Sequence, residues 1–222
     1  HREGHVPLCP PPSSVGGQAK PQCSACFINS VQDNMDSIMN LAKTEGMLFK
    51  WGSGTGTNFS TLRASHEALS GGGIASGPVS FMRGFDAFAG VIKSGGKTRR
   101  AAKMVILNVD HPDILDFVKV KSEPGMMANF NLSVAVTDDF MERVARDDTY
   151  PLINPRTKLE VGRLKAREVF DQICRFALET GDPGMIFLDA IERDNPTPEL
   201  GALEATNPCG AQPLLPSASC DP

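Results

Sequence analysis

The sequence predicts an α/β protein with a parallel-type sheet. Three observations carry this. Short apolar segments, CSACFINSV at 23–31, MVILNV at 104–109, NLSVAV at 131–136 and MIFLD at 185–189, read as buried strands. Stretches with apolar residues at helical spacing lie between them, and a β-α-β-α alternation implies a sheet covered on both faces with right-handed crossovers. The length of 222 residues, 41% of them hydrophobic, suits one domain with a full core.

Taken in order, residues 1–22 carry Pro7, Pro10, Pro11, Pro12, Gly16 and Gly17 and read as a flexible lead-in. After the first strand, Asp33 or Asn34 caps a helix whose apolar positions are Met35, Ile38, Met39 and Ala42. Gly52, Ser53, Gly54, Thr55 and Gly56 then read as a loop. A long helix starts at Pro78, after Gly77, and carries Phe81, Met82, Phe85, Phe88, Ala89 and Ile92 before ending at Gly95 and Gly96. The strand at 104–109 leads into a helix opened by Asp110 and Pro112. The strand at 131–136 leads into one capped by Thr137, with Asp138 and Asp139 in its first turn. A helix at 166–180, closed by Gly181, precedes the last strand.

Net charge is −4, so no basic field favours nucleic acid or an anionic membrane, and no apolar run reaches membrane-spanning length. The six cysteines (Cys9, Cys23, Cys26, Cys174, Cys209, Cys220) are too few for a disulfide-stapled secreted scaffold, and a reducing cytoplasm is the expected setting. Cys209 lies between Pro208 and Gly210, residues that do not sit inside a regular helix or central strand, so its thiol is offered on a loop; the plainer alternative is a small packing residue. The stretch GSGTG lacks the ending of a P-loop and the spacing of a dinucleotide fingerprint. Cys23 and Cys26 form a C-x-x-C without a second pair to complete a zinc site; a thioredoxin-like motif would place it at a helix start rather than on a strand. His66 and His111 are lone histidines, assigned to loop and cap structure.

The motifs SACF (24–27), GTGTNFSTLR (54–63), GGGIASGPVSFMRGFDAFAGVIKSGGKTRRAAKM (71–104), VDHPDI (109–114), NFNLSVAVTDDFM (129–141), TGDPG (180–184), DNPTP (194–198) and EATNPCG (204–210) resemble, in the same order, those of the adenosylcobalamin-dependent (class II) ribonucleotide reductases. The resemblance covers most of 23–220. It implies that 23–222 form a partial catalytic barrel domain, the first half of a ten-stranded α/β barrel with the central finger loop at the C-terminal end. The chain is therefore read as a fragment.

The resemblance also implies roles. Cys209 matches the cysteine that becomes a thiyl radical and takes hydrogen from the ribose 3′ carbon. Cys26 and Cys220 match the pair that reduces the 2′ carbon and ends as a disulfide. Asn207 matches the amide that holds the ribose hydroxyls, the alternative being a turn residue before Pro208. Asp33 and Arg63 match contacts to an allosteric dNTP or ATP, the Asp on ribose and the Arg near phosphates; the alternatives are a helix cap and a surface residue. Gly95, Gly96, Lys97, Thr98, Arg99 and Arg100 match the loop that relays effector identity to the substrate base. Ala211 stands where the family has its glutamate general base, and Asp221 and Pro222 replace the family's continuation after Cys220. Adenosylcobalamin, a ribonucleotide substrate, a thioredoxin-type reductant and a homodimer follow from the resemblance. Two rival readings are a noncatalytic nucleotide-binding fragment and a thiol-disulfide module using Cys26 and Cys220.

Overall fold

A computed structural model describes residues 24–92, 102–123 and 125–220. Its centre is an open six-stranded sheet. Five strands run parallel in chain order, β1 (Cys26–Asn29), β2 (Gly54–Asn58), β3 (Lys103–Asn108), β4 (Phe130–Val136) and β7 (Gly184–Phe187); β10 (Ser219–Cys220) pairs antiparallel with β1 at one edge. The connecting helices are α1 (Met35–Lys50), α2 (Gly77–Val91), α3 (Ile114–Val118), α4 (Asp138–Arg146), α5 (Ala166–Thr180) and α6 (Leu188–Arg193). No helix among the described residues is long and apolar enough to cross a membrane.

Because each crossover steps the same way along the sheet, right-handed connections place their helices on one face. That face holds the main core. Ile38 and Leu41 of α1, Met82 and Phe85 of α2, Phe117 of α3, Phe140 and Val144 of α4 and Val169 and Ile173 of α5 join Val105, Leu107, Leu132, Val134 and Val136 of the sheet. Both faces of the sheet are covered, but the long helices lie on this one alone. The opposite face, with Ile28, Met104, Ile106, Ala135 and Ile186, is packed by Leu188 and Ile191 of the short helix α6 and by the C-terminal segment through Ala205 and Leu214.

Local signals explain most elements. The Asn34 side chain accepts from the Ser37 amide at 2.8 Å and caps α1, leaving Asp33 for another role. Thr137 caps α4 through the Phe140 amide, and Gly181, at φ 84°, closes α5. Three expectations fail. The segment Gly54–Asn58 is strand β2 rather than a loop; its glycines lower strand propensity, but tertiary pairing on both sides overrides it. An antiparallel hairpin of β5 (Thr149–Ile153) and β6 (Glu160–Lys165) interrupts the β-α alternation. The helix opened by Asp110 reduces to α3, because Asp113 is spent outside it, accepting from the Ser65 amide and hydroxyl at 2.8 Å each. The lead-in 1–22 and the loop residues Gly95, Gly96, Lys97, Thr98, Arg99 and Arg100 lie outside the described residues.

Within the helix-side core, Lys103 at the start of β3 is fully buried and pairs with Glu45 of α1. Glu45 also accepts from Thr57 Oγ1 of β2 at 3.1 Å, and the ammonium lies 5.0–5.9 Å from the rings of Phe59, Phe85 and Phe130. A buried ammonium without such partners would be strongly disfavoured. Burial still lowers the Lys103 pKa, against the pull of Glu45.

His111 has the structural role expected of it. Its Nε2 donates to the Leu62 carbonyl at 2.9 Å and its Nδ1 accepts the Asp113 amide at 3.0 Å, an arrangement that fits the neutral ring. Burial holds its pKa below the ordinary value of 6.5, opposed by the Leu62 bond and by Asp113 and Asp110. As pH falls below 6.5 the unfolded chain takes up a proton that the folded chain resists, so stability falls. Urea midpoints should drop between about pH 7.5 and about pH 5.5, and drop less in His111→Gln. Equal drops in both proteins would remove His111 as the source.

Candidate functional site

The C-terminal segment brings the predicted active-site residues together. Strands β8 (Ala205–Thr206) and β9 (Pro213–Leu214) form a short antiparallel hairpin on the sheet face opposite the helices. Asn58 Nδ2 of β2 holds one end, donating to the Glu204 carbonyl at 3.0 Å; Asn131 Nδ2 of β4 holds the tip, donating to the Pro208 carbonyl at 2.7 Å. Sequence reasoning missed Asn131. Its signal was the polar residue opening the apolar stretch NLSVAV, on the face that receives the hairpin.

The hairpin lies closer to the sheet than side chains would allow. A Cβ added to Gly56 would meet the Thr206 carbonyl oxygen at 1.9 Å, and one on Gly54 would meet Pro208 Cγ at 2.7 Å and Cys26 Sγ at 3.3 Å. The two glycines that made this stretch look like a loop are the clearance under the hairpin. Their bare strip also sets Pro208 next to Cys26.

Asn207 builds the tip. It is 2% exposed; its Oδ1 accepts the amides of Ala211 at 2.9 Å and Gln212 at 3.1 Å, and its own carbonyl accepts the Gly210 amide at 2.9 Å. Gly210 has φ 71°, the left-handed conformation the turn requires. With Pro208 buried and Asn207 tied down, Cys209 projects outward and is exposed, as are Gly210 and Ala211. The turn role considered for Asn207 is therefore present. Its remaining amide hydrogen face reaches toward Cys220, with Nδ2 3.8 Å from Sγ.

Cys26 and Cys220 are direct partners in the β1–β10 register. Opposed residues of an antiparallel pair have Cα atoms about 4.5–5.5 Å apart, inside the span of roughly 4.4–6.8 Å that a disulfide bridges. Both are buried in a small cluster with Ala25 and Leu214. The edge is fixed by two further bonds, Ile28 N–H to the Ala218 carbonyl and Ser217 N–H to the Ile28 carbonyl, each 2.8 Å. The structure thus gathers Cys26, Cys220, Asn207 and Cys209 at the N-terminal ends of β1 and β2.

Asp33 and Arg63 meet elsewhere. Arg63 Nε lies 2.8 Å from Asp33 Oδ2, and the Arg63 amide donates to Oδ1 at 3.1 Å. The pair lines an open depression with Gln32, Asn34, Leu69 and Arg156. Arg156 comes from the turn of the β5–β6 hairpin, which the sequence did not reveal. The cap falls to Asn34 rather than Asp33, and Arg63 is partly exposed and bound on one side by Asp33.

Known proteins resemble this chain over most of its length. The profile described as "Ribonucleotide reductase, barrel domain" matches residues 24–221. The chain is 51% identical over 202 residues to the vitamin B12-dependent ribonucleoside-diphosphate reductase of Thermoplasma acidophilum, covering 90% of this chain and 26% of the relative. It is 50% identical over 200 residues to the protein of the same name from Mycobacterium tuberculosis strain H37Rv, covering 89% and 28%. It is 44% identical over 226 residues to the vitamin B12-dependent ribonucleotide reductase of Rhodopirellula baltica, covering 90% and 22%. The chain spans between a fifth and a third of the length of these relatives.

The glycine strip can be tested by substitution. Gly56→Ala should lower stability by about 1–3 kcal/mol in urea unfolding, because backbone must move to admit the methyl group. Gly84→Ala, on α2 with nothing within 4 Å of the added Cβ, should instead raise it by about 0.5–1 kcal/mol. Similar shifts at the two positions would argue against the close approach.

Proposed function

The chain belongs to the ribonucleotide reductase barrel-domain family, and on that premise we propose that it is the thiol-bearing part of an adenosylcobalamin-dependent reductase that converts ribonucleotides, as diphosphates, to deoxyribonucleotides. The observation that carries this reading is the direct pairing of Cys26 with Cys220 beside the Asn207 turn that presents Cys209. The five parallel strands and the β8–β9 hairpin support an assignment as half of a ten-stranded barrel and its finger loop. In that barrel the second half would cover the sheet face on which the hairpin lies.

The exposed Cys209, flanked by exposed Gly210 and Ala211, leaves open approach for a large cofactor, and the thiol is a suitable hydrogen donor to a carbon radical. Bound adenosylcobalamin supplies the one-electron oxidation that converts a thiol to a thiyl. As a thiyl, Cys209 takes the 3′ hydrogen and later returns it. The 2′ hydroxyl leaves as water; Cys26 and Cys220 together give two electrons and two protons, a C–H bond replaces the C–O bond, and the pair closes as a disulfide. A thioredoxin-type reductant then restores both thiols. Asn207, whose Oδ1 is engaged by the turn, would offer Nδ2 to the ribose.

Ala211 lacks the carboxylate that would accept the 3′ hydroxyl proton. Its amide already joins the Asn207 turn and its side chain is exposed, so a glutamate fits there without rebuilding the loop. The same residue favours a second reading, a noncatalytic nucleotide-binding protein that keeps only the effector site. For that site the Asp33–Arg63 pair supports ribose and phosphate contacts to dNTP or ATP, with Gly95 to Arg100 as the relay loop. Exposed Met35 and Met39 of α1 and Trp51 just after it support burial against a second copy. A reducing compartment, the cytoplasm, suits the thiols.

The test is a chimera in which this chain replaces the corresponding quarter of the Thermoplasma acidophilum protein, assayed for deoxyribonucleotide formation. With Ala211 it should turn over slowly, and Ala211→Glu should raise the rate about 10²–10⁴-fold. An Ala211→Glu chimera that binds dTTP yet forms no product, beside an active parent, would favour the second reading.

A further inference from the structure

The β5–β6 hairpin delivers a charged group to the depression that holds Asp33 and Arg63. Its turn is shaped by Asn154, whose Oδ1 accepts the amides of Arg156 at 2.9 Å and Thr157 at 3.0 Å. The other end of the same side chain, Nδ2, donates to Glu67 Oε2 at 3.1 Å, and Glu67 Oε1 lies 2.9 Å from Arg156 Nη1. Asn154 therefore fixes both the turn and the carboxylate that orients the guanidinium. The hairpin itself is anchored to the end of the sheet, through Ile153 N–H to the Asp110 carbonyl at 2.8 Å and Tyr150 Oη–H to the Val109 carbonyl at 3.1 Å.

Arg156 and Arg63 line the same depression, each held along one edge by a carboxylate. The remaining N–H groups of Arg156 have no partner among the described residues. The planar forks of two oriented guanidiniums in one open depression suit the several acceptor oxygens of a phosphate chain better than a base or a sugar. We propose that Arg156 is a further residue of the effector site, binding the phosphate tail of a nucleoside triphosphate. The proposal rests on the effector reading of Asp33 and Arg63.

Calorimetric titration of the chain with dTTP and with thymidine separates the two ideas. Arg156→Met should weaken dTTP binding about ten- to a hundredfold, the worth of charge-assisted hydrogen bonds, and leave thymidine binding unchanged. Asp33→Ala should weaken both ligands. Arg156→Lys, which keeps the charge but not the fork, should fall between wild type and Arg156→Met for dTTP. If wild type binds dTTP and Arg156→Met binds it equally well, Arg156 is not part of the site although the effector reading stands. Equal loss of dTTP and thymidine in Arg156→Met would make it only a structural support for Glu67 and overturn the proposal. Absence of dTTP binding by wild type would overturn the effector reading, and this proposal with it.

Discussion

Bare backbone at Gly54 and Gly56 lets the β8–β9 hairpin rest on the sheet with almost no side chain between them. That contact sets the level of everything above it. Pro208 is pressed into the space beside Cys26, Asn58 and Asn131 take hold of hairpin carbonyls, and the tip turns so that Cys209 faces outward. The chain leaving the hairpin is then directed back to the edge of β1, where β10 completes the sheet. A methyl group on β2 would lift the hairpin and, with it, the Asn207 amide from Cys220.

The other face answers a different demand. Stepwise winding puts every long helix on one side, and the core there is almost wholly apolar. Buried within it is the Lys103–Glu45 pair, which ties α1, β2 and β3 together through Thr57. Removing one member of such a pair is far more damaging than replacing both with apolar residues, because the remaining charge has nowhere to go. The pair stands at the beginning of β3, where Thr55 N–H also bonds the Ala102 carbonyl. The polar anchoring of this strand end keeps β3 in register with β2.

The sequence was most legible where structure is decided locally. Asn34 and Thr137 cap the helices they were expected to cap or share in capping, and α5 ends at Gly181. Beyond one element the reading weakened. The strand at β2 was hidden because its glycines serve a neighbour that arrives about 150 residues later in the chain, and propensity carries no such information. The β5–β6 hairpin was hidden because its strands are only partly buried, with Val161 of β6 exposed, so no continuous apolar run marks them. Likewise, resemblance named Cys26, Cys220, Asp33 and Arg63, but register alone opposes the two cysteines and only the fold brings Arg156 beside Arg63. Asn131 looked like an ordinary strand residue until the hairpin supplied its acceptor.

The pairing of β1 with β10 has a consequence in time. Cys26 and Cys220 sit roughly 200 residues apart, and closing so long a loop is an entropically late event that local helix formation does not help. During synthesis the first thiol emerges long before its partner, and the parallel strands have a chance to assemble before β10 reaches their edge. The Cys26–Cys220 pairing is therefore among the last features to exist, and its appearance reports that the whole described chain has come together.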